Sequence, residues 1–280
     1  MTAAPPPAAP RSPMPRQVVC IRWGTAYGPG YVNRLHAMVA RNLDDFRFFC
    51  ITDDPAGLHP GIEALPLPDL GCEYPRSPHG VWGKSRLWQK DIGIEGPVLF
   101  VDLDVVITGR LEPFFERGAP GDVILARNPT TPFERLGQTS IYRFPAGGLV
   151  PLYERFRADP TGIAVKYRFE QRYVTRCAPN GVSFWPRGWV LHFRHHCARA
   201  FPLNYALPPR LPASARVVIF AGGLNPPDAI AGRWDPALPV LSRKDHVRAA
   251  LTAPEHSGSR LRYLRHYIRP TPWVEELWRE

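Results

Sequence analysis

Apolar positions along the chain fall into short continuous runs separated by helical stripes. Residues 17–21 form an apolar run of strand character, and a turn-rich stretch with Gly24, Gly28, Pro29 and Gly30 follows. Tyr31, Leu35, Met38, Val39 and Leu43 then share one helical face, and 46–51 reads as a second strand that ends in Thr52-Asp53-Asp54. Strand, loop, helix, strand is the pattern of a βαβ unit with a parallel sheet. Residues 55–80 are rich in Pro and Gly and hold a short strand at 62–67, and a helix is predicted over 84–91. The run 97–107 is apolar almost throughout but contains two acids, as a buried central strand does when it delivers carboxylates at its end. Helices are predicted at 111–115 and 149–157, and strands at 123–126, 139–143, 190–193 and 216–220. A Pro-rich loop covers 202–215, and basic, helix-patterned sequence runs from 243 to about 269. There is no internal repeat. The expected organisation is a disordered Pro/Ala tail over 1–15, one α/β domain over 16–240 and a basic helical appendage over 241–280.

Composition narrows this picture. With 280 residues, 44% of them apolar, the chain can bury a sizeable core without disulfides or metal, and collagen and coiled-coil architectures are excluded. Five cysteines without a CxxC pair argue against a disulfide framework or zinc ribbon and favour a reducing, cytoplasmic setting. Residues 1–15, mostly Pro and Ala, do not read as a secretory signal, and without a run of about 18 apolar residues no membrane span is expected. The net charge is +10, and arginine supplies most of it, since only Lys84, Lys90, Lys166 and Lys244 are lysines. Planar guanidinium groups suit phosphates and other polyanions. Charge alone also suggests nucleic acid, but no nucleic-acid-binding motif accompanies it, and none is expected as a partner.

Asp102-Leu103-Asp104 carries the most chemistry. On a strand, residues i and i+2 point the same way, and two adjacent carboxylates at a buried strand end need a cation. A divalent ion bound to ligand phosphates supplies one, at the strand end where α/β sheets bind ligands. An Asp-x-Asp strand end also suits a metal-dependent phosphatase with Asp102 as nucleophile. That chemistry usually starts from the first strand and needs a lysine and an acid downstream, for which Lys166 and Glu170 are the candidates.

The order of motifs resembles the GT-A glycosyltransferases, in particular the retaining, glycogenin-like family 8. Thr25-Ala26-Tyr27 after the first strand resembles the loop that holds the donor's base and ribose. Thr52-Asp53-Asp54 ends the second strand. Trp82-Gly83-Lys84-Ser85-Arg86-Leu87-Trp88 is similar to the lysine-bearing helix, and Phe100-Val101-Asp102-Leu103-Asp104 to the Asp-x-Asp signature. The resemblance spans roughly residues 17–235. It implies a GT-A (nucleotide-diphospho-sugar transferase, Rossmann-like) mixed sheet flanked by helices, a UDP-sugar donor, Mn²⁺ or Mg²⁺ on Asp102 and Asp104, and transfer with retention. It also implies donor contacts from Thr25, Tyr27, Asp53, Lys84, Leu103, Gly222 and Asn225, with Tyr27 stacking on the base and Asp53 accepting from it. Catalytic roles fall to Lys84, Gln138, Glu170 and Gln171, and Arg143 is expected near the diphosphate. The acceptor is an unknown glycan, lipid-linked or protein molecule, in a pathway such as bacterial surface-polysaccharide biosynthesis.

Phe220-Ala221-Gly222-Gly223-Leu224-Asn225-Pro226-Pro227 departs from the family pattern, which places His where Ala221 stands and Lys where Asn225 stands. Ala binds no metal and Asn carries no charge. This leaves open weaker metal binding, replacement of the histidine by another group, or a catalytically silent nucleotide-sugar or glycan-binding protein. His192, His195, His196 and Cys197 are a candidate replacement, and His192 with His196 a weak zinc candidate. Residues 260–269 interleave arginines with tyrosines, as a docking helix or a peripheral membrane contact would.

Overall fold

A computed structural model describes residues 15–76, 81–131, 133–252 and 259–280, so the expected tail lies, but for Pro15, outside the described residues. The chain runs β1 (Arg16–Arg22), α1 (Pro29–Asn42), β2 (Phe46–Thr52), β3 (Glu63–Pro66), a 3₁₀ turn (Trp82–Trp88), β4 (Pro97–Val101) and β5 (Val105–Ile107). It continues through α2 (Glu112–Glu116), β6 (Ile124–Arg127), β7 (Gly137–Pro145), α3 (Val150–Ala158), α4 (Pro160–Tyr167), α5 (Glu170–Cys177), β8 (Ser183–Phe184) and β9 (Val190–His192). A π-turn (Phe193–Cys197), α6 (Leu203–Ala206), β10 (Val217–Ile219), α7 (Pro226–Ala231), α8 (Arg243–Thr252), α9 (Arg260–Arg265) and α10 (Pro272–Leu277) complete it.

The predicted βαβ opening is present. Pro29 starts α1 where no amide donor is needed, and Val32, Leu35, Met38 and Val39 form its buried stripe. A seven-stranded mixed sheet has the order β3-β2-β1-β4-β7-β6-β8, and a three-stranded sheet the order β5-β10-β9. β1 pairs in parallel with both β2 and β4, so the strand order reverses between β1 and β4. That reversal opens a crevice at the carboxyl ends of these strands.

The helix expected over 84–91 is instead the 3₁₀ turn. Trp82, Ser85 and Trp88 are all buried, and their three-residue spacing matches a 3.0-residue turn, which puts both indoles on the core side. The single strand expected over 97–107 is two strands in different sheets. β4 lies in the large sheet and β5 in the small one, so Asp102-Leu103-Asp104 is the turn that passes between them. Both halves are completely covered, and an apolar run buried on every side carries no mark of the break.

Two apolar clusters lie on the two faces of the large sheet. One joins α1 to the small sheet, α7 and α10, with Trp278 of the last turn included. The other joins the 3₁₀ turn to α3, α4 and α5. Each fully buried large apolar side chain contributes about 1.5–3 kcal/mol. Arg143 of β7 sits among them almost wholly buried, and its guanidinium donates to the carbonyls of Phe114 (3.2 Å), Phe115 (2.8 Å) and Ala119 (2.7 Å). Its donors are turned to the α2 end and not to a ligand, contrary to the role expected near a diphosphate. Arg143→Met is expected to lower unfolding free energy by ~2–4 kcal/mol in a urea titration, because three carbonyls lose their partner. Nucleotide affinity is expected to stay unchanged.

Candidate functional site

The crevice between the ends of β1 and β4 holds a cavity of about 300 Å³ lined by Arg22, Trp23, Tyr27, Lys84, Asp102 and Asp104, among others. The acid turn is fixed from below. The Asp102 amide donates to the Ser140 carbonyl (2.8 Å), which carries the β4–β7 ladder one residue past the strand. Lys84, delivered by the 3₁₀ turn, places Nζ 2.6 Å from the Asp102 carboxylate. Asp104 accepts from the Tyr27 hydroxyl at 3.2 Å. Both acids therefore open into one cavity, although they belong to a turn and not to one strand face.

Charge in this cavity is unbalanced. Burial, and then the neighbouring Asp102 carboxylate, push Asp104 up to about 7 despite Lys84. Burial opposes the charge on Lys84, but Asp102 and Glu170 outweigh it and hold the ammonium above its ordinary range. One ammonium thus serves several carboxylates.

A second cavity, about 420 Å³, is lined by Lys84, Gln138, Glu170, Gln171, Ala221 and Gly222, among others, so Lys84 belongs to both. Glu170 starts α5 and is buried; its Oε2 accepts from Thr139 Oγ1 at 2.7 Å, while Oε1 has no partner. Burial pushes this carboxyl up to about 7, opposed by Lys84 and Thr139. The Gln138 amide is turned back on its own strand, where Nε2 donates to Ser140 Oγ (2.8 Å) and Oε1 accepts from the Ser140 amide. Gly222, at φ +71°, adopts the left-handed conformation that brings backbone to the cavity edge.

The other expected positions lie differently. Leu103 lines the first cavity, but Thr25 is exposed on the preceding turn and lines neither. Asp53 is exposed, and its carboxylate accepts from the Gly24 amide (2.9 Å), closing the turn after β1. The Tyr27 ring, expected to stack on a base, packs on Tyr31 (centroids 4.8 Å apart) and aims its hydroxyl at Asp104 and Asn225. Asn225 caps α7 in a capping box with Asp228, which explains an amide at that position. His192, at the end of β9, and His195 and His196, on the π-turn, line neither cavity, so none stands in for the missing histidine. Lys166 lies over the Tyr167 ring on α4, away from both cavities, which removes the lysine a phosphatase would use.

Two lining residues went unnoticed in the sequence. Arg22 is buried at the end of β1, where it donates to the Tyr27 carbonyl (3.0 Å) and faces Asp54 (3.5 Å). Trp23 lies so close over Gly83 that a Cβ there would sit 2.7 Å from the indole. The Gly that follows Trp82 was the available signal.

The donor set fits a hard divalent ion. It offers two carboxylates, Asp102 and Asp104, that open into one cavity, with the Tyr27 hydroxyl against Asp104. Among the described residues no group of three His, Cys, Asp or Glu could hold a metal by itself. Mg²⁺-type ions are commonly held by one or two carboxylates plus substrate phosphates, so this set suffices when a diphosphate supplies the rest.

Glu170 gives a direct test of these electrostatics. Its folded-state pKa is raised from 4.5 to about 7, so it binds its proton more tightly when folded. Its contribution is fully present below the lower value and is lost as pH rises through the upper one. Stability measured by urea unfolding is expected to fall between about pH 4.5 and 7. Glu170→Gln is expected to flatten that fall by roughly 2–3 kcal/mol.

No protein-family model matches the sequence, and no curated protein matches it. Solved structures do. The galactosyltransferase LgtC, solved with donor and acceptor sugar analogs, superposes with a TM-score of 0.53 at 12% identity, over 82% of this chain and 93% of that one. The bifunctional glycosyltransferase WbbM gives 0.51 at 13%, over 78% of this chain and 48% of that one. The glycosyltransferase GlyE of Streptococcus pneumoniae TIGR4 gives 0.51 at 14%, over 75% and 56%. Identities this low speak to fold: the chain has the GT-A-like mixed α/β architecture found in these glycosyltransferases.

Proposed function

We propose that the protein transfers a sugar from a nucleotide-sugar, a UDP-sugar, to a glycan acceptor that is free, lipid-linked or protein-borne, with Mn²⁺ or Mg²⁺ bound at Asp102 and Asp104. The observation that carries this reading is the acid turn beside an ammonium that belongs to two adjoining cavities. A diphosphate is a poor leaving group until its charge is met, and a divalent ion with its hard oxygen ligands meets it there. Lys84 donates to the same oxygens from the wall between the cavities, so its charge acts where the sugar–phosphate bond breaks. The Gly222-Gly223 backbone, both residues at positive φ, gives close approach on the opposite side. Glu170 and Gln171 face the transferred sugar in the second cavity, while Gln138, engaged with Ser140, shapes its wall. Glu170, held near half-protonation at neutral pH, can donate to or accept from a hydroxyl there. Retention at the anomeric carbon is carried by the family resemblance.

Among the described residues no helix is long and apolar enough to cross a membrane. The cytoplasmic setting is part of this proposal, as is peripheral contact through 260–269. Arg260, Arg262 and Arg265 of α9 are exposed for it, while Tyr267 stacks on Tyr205.

Incubation of the protein with UDP-sugars and Mn²⁺ is expected to release UDP, and chelation to stop the release. Asp102→Asn and Asp104→Asn are each expected to slow it about 10²–10³-fold. UDP binding without any release would instead favour a silent nucleotide-sugar-binding protein, the reading that Ala221 supports.

A further inference from the structure

Along the carboxyl edge of the large sheet the cavities follow the strand order. The first lies between β1 and β4, and the second beside the starts of β7 and α5. β6 runs antiparallel to β7, and β8 runs parallel to β6, so the ends of β6 and β8 reach the same edge. A third cavity, about 380 Å³, lies there, lined by Arg127, Asn128, Leu136, Trp185, Arg187 and His196, among others. It adjoins the second. Ala126, which lines the third, is the register partner of Gln138, which lines the second. Leu136 is two residues from Gln138, about 7 Å along an extended strand, roughly the length of one sugar unit.

The third cavity has an apolar floor and a positive rim. Leu136, Trp185 and Leu191 are buried beneath it. Arg127 and Arg187 are exposed at the rim, and neither is paired with an acid among the described residues. Arg127 is held over the Phe184 ring, 4.5 Å from its centroid, so its position is fixed while its charge stays unmet. The lining carboxylate, Glu134, is already committed to Arg172 (3.1 Å) and Arg176 (3.0 Å) outside the cavity. His196 Nδ1 lies 2.9 Å from the His192 amide and 3.2 Å from the His192 carbonyl, so this edge of the ring is held by its own turn and Nε2 is the nitrogen left for a ligand. Burial lowers the pKa of this imidazole, which favours its neutral form.

We propose that this cavity binds an anionic saccharide unit of the acceptor, one sugar beyond the transfer site, through Arg127, Arg187 and His196. The proposal rests on the transferase reading and names its substrate class: a glycan bearing a carboxylate or phosphate. Planar guanidinium groups grip either oxyanion in a two-point contact, and the apolar floor suits the less polar face of a sugar ring.

The full chain with saturating UDP and Mg²⁺, so that the first cavity is filled, is titrated with glucuronate, glucose 6-phosphate, glucose or inorganic phosphate and followed by ligand-observed NMR. Binding of at least one charged sugar, with glucose silent, is expected. Glucuronate alone identifies the carboxylate source, glucose 6-phosphate alone the phosphate source. Arg187→Ala is expected to weaken that binding about tenfold, and Arg127→Ala with Arg187→Ala to abolish it. UDP affinity is expected to hold in every variant, which also certifies folding. The proposal is overturned if neither charged sugar binds while UDP does, if glucose or inorganic phosphate binds as tightly as the charged sugars, or if the variants change nothing. Failure of the wild type to bind UDP overturns the transferase reading instead, and the acceptor role with it.

Discussion

The chain leaves one sheet and enters another through three residues, and two of those residues are acids. This crossing governs the candidate site. β4 and β5 are buried on all sides, so the turn between them has little freedom to move away from its place over β7. Carboxylates held in such a position cannot escape into solvent to lower their cost. They must be met by a cation or take up a proton. Lys84 meets Asp102, and the residual demand appears as the raised pKa of Asp104.

The rest of the architecture supports that crossing. The 3₁₀ turn carries Trp82 and Trp88 into one apolar cluster, and this anchoring holds Lys84 against Asp102. On the other face, α1 packs against β5 and thus under the acid turn, with Trp278 of the C-terminal segment in the same cluster. Tyr27 then links the turn after β1, the acid turn and the cap of α7 through one hydroxyl. Elements distant in sequence therefore converge on a few polar contacts, each backed by apolar packing. Lys84 and the start of β7 connect one cavity to the next, so the cavities succeed one another along the sheet edge from the acid turn to the positive rim at Arg127 and Arg187.

Much of the fold was legible because periodicity survives burial on one face. The α1 stripe and the β1 and β2 runs announce themselves in this way. Complete burial erased the signal at 97–107, where one apolar run proved to be two strands. Within the site, Asp102 and Asp104 were legible because charge in an apolar run is conspicuous, and Lys84 and Glu170 because the order of motifs pointed to them. Arg22 and Trp23 were not, since an arginine at a strand end and an aromatic before a turn look ordinary in sequence. Arg143 misled for the opposite reason: a charged group on a central strand suggested a ligand, but main-chain carbonyls of α2 and its flank satisfy it. Tyr27 was legible as a lining residue, but its hydroxyl contacts to Asp104 and Asn225 were not, because sequence spacing gives no side-chain direction. No pattern of residues along the chain could mark the third cavity, whose lining comes from strands brought together only by the sheet order.

On the proposed reading, Asp102 and Asp104 together hold a divalent ion for a diphosphate. Calorimetric titration of UDP with and without Mn²⁺, on the wild type and on the Asp102→Asn, Asp104→Asn double variant, tests it most directly. Mn²⁺ is expected to tighten UDP binding by about tenfold or more in the wild type and to have no effect on the double variant. Equal UDP affinity with and without Mn²⁺ in the wild type, or an undiminished Mn²⁺ response in the double variant, would contradict it.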